Sequence, residues 1–178
     1  MILDEVRAHL RKHFAAAGIT AEPESASVAF IGLEGIDVLR FGPDRGGVTH
    51  YVSVGCSRHA MEDDPVRGPR AEVVVSLRGT ATGAGFARSV AVLAAAPAVE
   101  GLVLTDDALV DLGQPLWEMA PFTAFLLGPS AIEPAAEVVF FQAIPITANE
   151  AAWVRLKGAG AMRQAWREDG VDTLDPRR

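Results

Sequence analysis

The sequence predicts an α+β fold with a mainly antiparallel sheet. Short strand-like segments follow one another between residues 28 and 77, and short turns between them favour antiparallel pairing. Helical periodicity is confined to the start, one internal segment and the carboxyl end, without a regular alternation of strand and helix. A length of 178 residues is typical of one domain, so we expect residues 1–178 to form a single unit.

The first element is predicted to be a helix over residues 2–17. Val6, Leu10 and Phe14 recur every four residues and form one apolar stripe. Gly18 follows at the position where glycine commonly ends a helix.

Four strands are expected next, and their short connections predict antiparallel pairing. In the last of them Val73 and Val75 should face the core, whereas Glu72 and Ser76 should face outward, because side chains alternate along a strand. The four predicted strands are Val28–Gly32, Ile36–Phe41, Val48–Gly55 and Ala71–Leu77.

The second half is predicted to contain one helix and two strands. Phe86–Ala96 has helical spacing and should end at Pro97, and Phe122–Leu127 is a short apolar strand. Val138–Ile144 is apolar on both faces, which predicts a central strand that stops at Pro145.

A capping box is predicted just after that strand. Thr147 precedes Glu150 by three residues, the spacing at which the two side chains satisfy each other's free amides at a helix start. A helix should follow from there, and a second short helix is expected over residues 160–169.

Several segments in order resemble the suppressor of fused family. They are Thr49–Met61, which is similar to the family's strand with a T-x-G-x-S ending, the R-A-E strand Arg70–Leu77, Gln114–Leu116, the P-I-T ending of residues 145–147, and the closing Asp175–Arg178. The resemblance implies a mixed α+β domain with a mainly antiparallel mixed sheet and flanking helices. It also implies a module that binds proteins, in one mode by adding a peptide strand to a sheet edge. Bacterial members of the family often lie beside toxin genes, so the resemblance also implies an immunity protein that binds and blocks a toxin.

Composition excludes several classes of protein. A net charge of −7 and a pI near 5.1 disfavour nucleic-acid binding, which needs a basic surface. No apolar run approaches the roughly 20 residues that span a bilayer, so no membrane association is expected. The charged start and the single Cys56 favour a cytoplasmic protein, and the scarcity of lysine among the basic residues is typical of a GC-rich bacterial genome.

One group of reactive side chains is formed by Cys56, Ser57 and His59. A catalytic cysteine needs a neighbour that lowers its pKa, and here the cysteine follows a strand in a context that matches no nucleophile signature. We therefore expect a small buried thiol, no catalytic residue, no metal site and no cofactor.

Two acidic groups are the candidate partner-binding residues. Asp107 and Asp111 are spaced so that they could share a helical face, but the spacing matches no calcium loop. Solvated acidic surface is the default interpretation, and steering of a basic partner is the functional one. The residues are Glu62, Asp63, Asp64, Asp106, Asp107 and Asp111.

Together these observations favour a non-enzymatic protein-interaction module. The resemblance points to a bacterial immunity or sequestering protein whose partner is a protein, such as a basic toxin or a peptide added to a sheet edge. The alternative is a small-ligand-binding protein or enzyme that uses the Cys56, Ser57 and His59 group or the acidic clusters.

Overall fold

A computed structural model describes residues 1–62, 68–79 and 84–178. One seven-stranded sheet forms its centre, in the strand order β1-β2-β3-β4-β7-β6-β5. The strands are β1 Glu24–Phe30, β2 Leu33–Phe41, β3 Val48–Val54, β4 Arg70–Arg78, β5 Leu109–Asp111, β6 Phe122–Pro129 and β7 Val138–Thr147. The helices are α1 Ile2–Ala16, α2 Phe86–Glu100, α3 Ala148–Lys157 and α4 Ala159–Glu168.

The predicted α+β class is correct, and the sheet is mixed. Strands β1 to β4 form an antiparallel meander, and a second antiparallel unit consists of β5 paired with β6 and β6 paired with β7. The two halves meet where β4 and β7 run parallel, with Arg70 opposite Val138. The central position predicted for the Val138 strand is thereby confirmed.

Helices cover both faces of the sheet. On one face α2 packs on the odd-numbered residues of β4, including Val73 and Val75. On the other face α1 covers β2 to β4 through Val6, Leu10 and Phe14. The helices α3 and α4 cover β6 and the end of β7 on that same face, in a separate apolar cluster.

The prediction that Glu72 and Ser76 face outward is wrong. Both point away from the α2 side, as strand alternation requires, but α1 covers the face that they share with Val74. The Glu72 side chain is completely buried and Ser76 is 8% exposed. Strand alternation assigned the face correctly, but it could not show that a helix more than fifty residues earlier would cover it.

Two elements, α2 and β7, extend beyond the prolines at which they were predicted to end. The helix α2 continues beyond Pro97 to Glu100 and ends at Gly101, whose left-handed backbone lets its amide bond the Pro97 carbonyl. The strand β7 runs through Pro145 to Thr147. Because β4 pairs with β7 only as far as Gln142, Pro145 has a neighbour on one side alone, where a missing N–H is tolerated.

Hydrogen bonds and cation–π contacts of Arg178 hold the carboxyl-terminal residues against α3 and α4. Arg178 donates to Glu150 Oε2 at 2.7 Å and to the Pro145 carbonyl at 2.8 Å. Its guanidinium also lies over the Phe122 and Trp166 rings, 5.0 and 5.2 Å from their centres. Burial alone would raise the pKa of Glu150, but hydrogen bonds from Arg178, the Thr147 amide and Trp166 lower it on balance.

The capping box at the start of α3 is present as predicted. The Glu150 amide donates to Thr147 Oγ1 at 3.1 Å, and the Thr147 amide donates to Glu150 Oε1 at 3.0 Å. Thr147 has an extended backbone, as a residue before the first helical turn should have.

We predict that Thr147→Ala lowers the free energy of unfolding by about 1 kcal/mol, because the Glu150 amide loses its acceptor. Urea melts of the variant and the wild type measure the change. The matched control is Thr20→Ala, at an exposed threonine whose hydroxyl makes no hydrogen bond within the described ranges. Equal losses in both variants would contradict a capping role.

Candidate partner-binding surface and its buried anchor

A buried carboxylate that the sequence analysis missed organises the end of β3. Glu72 accepts five hydrogen bonds, all between 2.8 and 3.1 Å, from the Ser53 and Ser57 hydroxyls and from three consecutive amides. The amides belong to Gly55, Cys56 and Ser57, the segment that leaves β3 and forms one 3₁₀ turn, Cys56–Arg58. The carboxylate therefore satisfies the amides of a turn that leaves the sheet.

Burial and hydrogen bonding have opposite effects on the pKa of the Glu72 carboxyl group. Complete burial raises the pKa of Glu72, while hydrogen bonds from Gly55, Ser57 and Ser53 hold the rise back. Because amides can only donate, both carboxyl oxygens must act as acceptors there.

Arg70 also binds this turn, through the carbonyl groups of the turn. Its Nη1 donates to the Ser57 and Arg58 carbonyls at 2.8 and 2.7 Å. One strand, β4, thus binds the amides of the turn through Glu72 and its carbonyls through Arg70. The arginine and the glutamate of the R-A-E motif therefore both hold the turn that follows β3. This role could be inferred from the sequence only if the burial of that face of β4 were known.

Gly55 is required where the chain turns away from β3. Its φ of 148° is in a region that side-chain-bearing residues avoid. A Cβ there would lie 3.1 Å from the Ile36 side chain and 3.2 Å from the Arg58 guanidinium. The close approach lets Arg58 donate to the Gly35 carbonyl and pair with Glu34.

The Cys56, Ser57 and His59 group does not form a nucleophilic arrangement. Ser57 is buried and its hydroxyl donates to Glu72, while His59 is exposed. Burial, and secondarily the negative charge of Glu72, raises the pKa of the Cys56 thiol well above its ordinary value. The thiol is therefore protonated at neutral pH, which agrees with the expectation of an inert cysteine.

A cavity of about 190 Å³ lies beside this turn. Cys56, His59 and Glu62 line one side, and the small side chains Ala94 and Ala98 of α2 line the other. The cavity therefore combines an apolar wall with a polar rim.

The acidic candidates fall into two groups with different surroundings. Glu62 and Asp106 are exposed, whereas Asp107 pairs with Arg163 of α4, and Asp111 accepts from Arg155 of α3 at 2.8 Å. Hydrogen bonds from Arg155 and from the Gly113 amide lower the pKa of Asp111. Asp63 and Asp64 lie outside the described residues.

The idea that Asp107 and Asp111 share a helical face is wrong. Asp107 is in a turn with a positive φ of 69°, and Asp111 ends the strand β5. Residues close in sequence to Glu62 and Asp106 are nevertheless in contact, because the Leu104 amide donates to Met61 Sδ at 3.2 Å.

The strand β1 forms an open edge of the sheet. It pairs with β2 on one side only, and residues 24–27 are all exposed. Val28 packs towards the α2 side, so the small residues Ser25 and Ser27 face the other way. At the hairpin tip Ile31 is fully exposed, and Leu33, which lines the cavity, is 39% exposed.

Across residues 1–62, 68–79 and 84–178, no three His, Cys, Asp or Glu side chains are grouped so as to hold a metal ion. Within the same ranges, none of the helices has both the length and the apolar character that crossing a bilayer requires.

These features define an α+β domain built on a mixed seven-stranded sheet with one long open edge. The family model for Suppressor of fused protein (SUFU) matches residues 32–178. The chain belongs to the suppressor of fused family, as its sequence motifs indicated.

Solved structures support the same fold. A SUFU homolog from Neisseria gonorrhoeae FA 1090 is 20% identical, with a TM-score of 0.74, and the match covers 98% of this chain and 93% of that one. A chain of the Sufu–Fu complex is 15% identical with a TM-score of 0.70, covering 96% and 84%. Drosophila Suppressor of Fused is 15% identical with a TM-score of 0.73, covering 99% of this chain and 50% of that one. No curated protein sequence matches the chain significantly.

We predict that Glu72→Gln lowers the free energy of unfolding by at least about 2 kcal/mol, because a side-chain NH₂ would replace an acceptor among buried amides. Urea melts provide the measurement. Glu34→Gln is the control, since it removes the same charge from an exposed ion pair with Arg58 that contributes less than about 1 kcal/mol. Similar midpoints for the two variants would show that the buried network contributes little.

Proposed function

We propose that this protein binds and blocks a partner protein, in the manner of a bacterial immunity or sequestering protein. The observation that carries the proposal is the open edge β1, together with membership of a family in which a Sufu chain has been solved in complex with Fu. Binding of this kind requires no chemical step, and we therefore propose a non-enzymatic role for this surface.

The edge β1 is suited to accept a partner strand. Exposed edges are usually blocked by proline, by lysine, by a β-bulge or by short length. Glu24–Phe30 has seven residues and neither residue type, and its register shift lies at the far end, between Val28 and Phe30. The small, exposed side chains of Ser25 and Ser27 leave room beside the open edge for a neighbouring strand. The opposite edge, β5, has only three residues, and Asp111 at its end is bound to Arg155.

An apolar anchor point lies at the end of the same hairpin. Ile31 is fully exposed at the tip, and Leu33 continues into the cavity between the hairpin and α2. Contiguous exposed apolar side chains of this kind commonly mark protein interfaces. We propose that a partner side chain occupies the cavity while the partner's backbone pairs with β1.

The acidic candidates would then form the rim of the interface. Glu62 lines the cavity, and Asp106 follows the segment that contacts Met61. With a net charge of −7, the protein attracts a basic partner. We retain Asp63 and Asp64 in this proposal, and we assign Asp107 and Asp111 a lesser part because each is paired with an arginine.

A small-ligand protein is the second candidate, and the cavity of about 190 Å³ beside Cys56, His59 and Glu62 is the observation that favours it. The neighbouring genes separate the two candidates. A toxin-like gene beside this one, whose product binds this protein and is inhibited by it, supports the immunity role. A metabolic operon and no such binding favour the ligand.

We predict that one of two consecutive proline variants in β1 weakens partner binding without loss of stability. Neighbouring N–H groups of a strand point to opposite sides, so Ser25→Pro and Ala26→Pro remove one donor to β2 and one donor at the open edge. The variant that keeps the wild-type melting temperature should bind the neighbouring gene's product at least about tenfold more weakly. Wild-type affinity in that variant would contradict strand addition at β1.

We predict that Asp106→Lys slows association with a basic partner and flattens its dependence on ionic strength, because rim charges act mainly on the association rate. Stopped-flow mixing across a salt series measures both. Glu5→Lys is the control, with the same charge change on an exposed residue of α1. If the two variants associate equally fast at low salt, the acidic segments are only solvated surface.

A further inference from the structure

A slot of about 300 Å³ with a polar floor and largely apolar walls opens on the sheet face that carries α1 and the α3–α4 pair. Its floor consists of His50 on β3, Ser76 on β4 and Gln142 on β7, three neighbouring strands. Asp44 and residues 173–174 of the carboxyl-terminal tail form part of its wall. The volume is at the lower end of the range for small-molecule sites.

The polar groups of the slot form a connected relay. Ser76 Oγ lies 2.7 Å from His50 Nδ1, and His50 Nε2 lies 3.0 Å from Asp44 Oδ2. The other oxygen of Asp44 accepts from the Gly46 and Val48 amides at 2.8 and 3.0 Å, which fixes the carboxylate in place.

The charge of Asp44 determines where the protons lie. The hydrogen bond from His50, followed by that from the Val48 amide, lowers the pKa of Asp44, so it is a carboxylate at neutral pH and can only accept. A neutral His50 must therefore carry its proton on Nε2. In that tautomer Nδ1 keeps a lone pair, which accepts the hydroxyl proton of Ser76 at 2.7 Å.

We propose that this slot is an acyl-transfer site for small esters, with Ser76 as the nucleophile, His50 as the general base and Asp44 as the residue that positions the imidazole. The arrangement meets the geometric requirement for an activated serine, which is a base within hydrogen-bond reach that a third group orients.

The reaction would proceed in two balanced steps. Ser76 Oγ bonds to the acyl carbon, its proton passes to His50 Nδ1, and the ester's alkoxy group leaves with that proton as an alcohol. Water then attacks the acyl-serine, and its proton returns through His50 to Ser76 as the acid is released.

Gln142 supplies a donor for the developing oxyanion. Its Nε2 donates to Ser76 Oγ at 3.1 Å and makes no other hydrogen bond among the described residues, so the second N–H remains available to the slot. Side-chain amides stabilise such oxyanions in other enzymes.

The other buried serines lack this chemistry. Ser53 and Ser57 donate to Glu72, and Ser89 donates to the Leu116 carbonyl. The Ser76 hydroxyl, by contrast, bonds an imidazole and lines a cavity. The slot is also distinct from the edge β1, so it adds to the proposed binding function without depending on it.

The test uses a fluorophosphonate probe on the native full chain, with the modified residue mapped by mass spectrometry. Attack by Ser76 would form an Oγ–P bond, release fluoride and transfer the proton to His50. We expect modification at Ser76, at least about tenfold faster than in the urea-unfolded chain, since a positioned base contributes roughly 10²- to 10⁴-fold. p-Nitrophenyl acetate should release p-nitrophenolate at a rate that falls by a similar factor in His50→Gln.

Ser130→Ala is the matched control, because Ser130 is a partly exposed serine whose hydroxyl accepts only from the Ile132 amide. It should be modified and should turn over ester like the wild type. Labelling spread evenly over serines, or equal rates in the native and unfolded chain, overturns the proposal. The mapping uses the wild-type protein, so the result stands even if a Ser76 variant fails to fold.

Discussion

The hydrogen bonds accepted by the buried Glu72 side chain determine the course of the chain beside the candidate interface. The carboxyl group holds three amides and two hydroxyls at the point where the chain leaves β3, and Arg70 holds the carbonyls of the same turn. The cavity beside Cys56, the position of Arg58 over Gly35 and the outward course of the chain to Glu62 all start from this turn. Burial of this carboxyl group is tolerated because both of its oxygens accept hydrogen bonds.

The sequence predicted those elements whose apolar pattern is strong. The stripe of α1, the two-sided apolar run of β7 and the Thr147 capping box all depend on residues close together in the chain, and each is present. The start of β1 was missed by four residues, because an exposed edge strand has no buried face to impose alternation. Local patterns therefore identify elements well when at least one side of the element is buried.

Features that depend on distant packing were harder to predict. The burial of Glu72 results from α1 covering β4, and the pairing of Asp107 and Asp111 with Arg163 and Arg155 joins segments about 50 residues apart. The inert character of Cys56 could be predicted, because its sequence context offered nothing to lower its pKa, but the reason is burial beside a carboxylate. The relay of Asp44, His50 and Ser76 has no signature in the sequence, since Asp44 lies in the turn before β3, His50 on β3 and Ser76 on β4.

The parallel pairing of β4 with β7 has a consequence for how the chain reaches this structure. All other strand pairs join segments linked by connections of at most 15 residues, whereas Arg70 and Val138 are nearly 70 residues apart. Closing so long a loop carries an entropy cost that is recovered only after the contacts form. We expect the β1–β4 meander and the β5–β7 unit to gain order early and their docking along β4 and β7 to limit the rate. The contact between Gln142 and Ser76, which crosses this seam, would then be among the last to form.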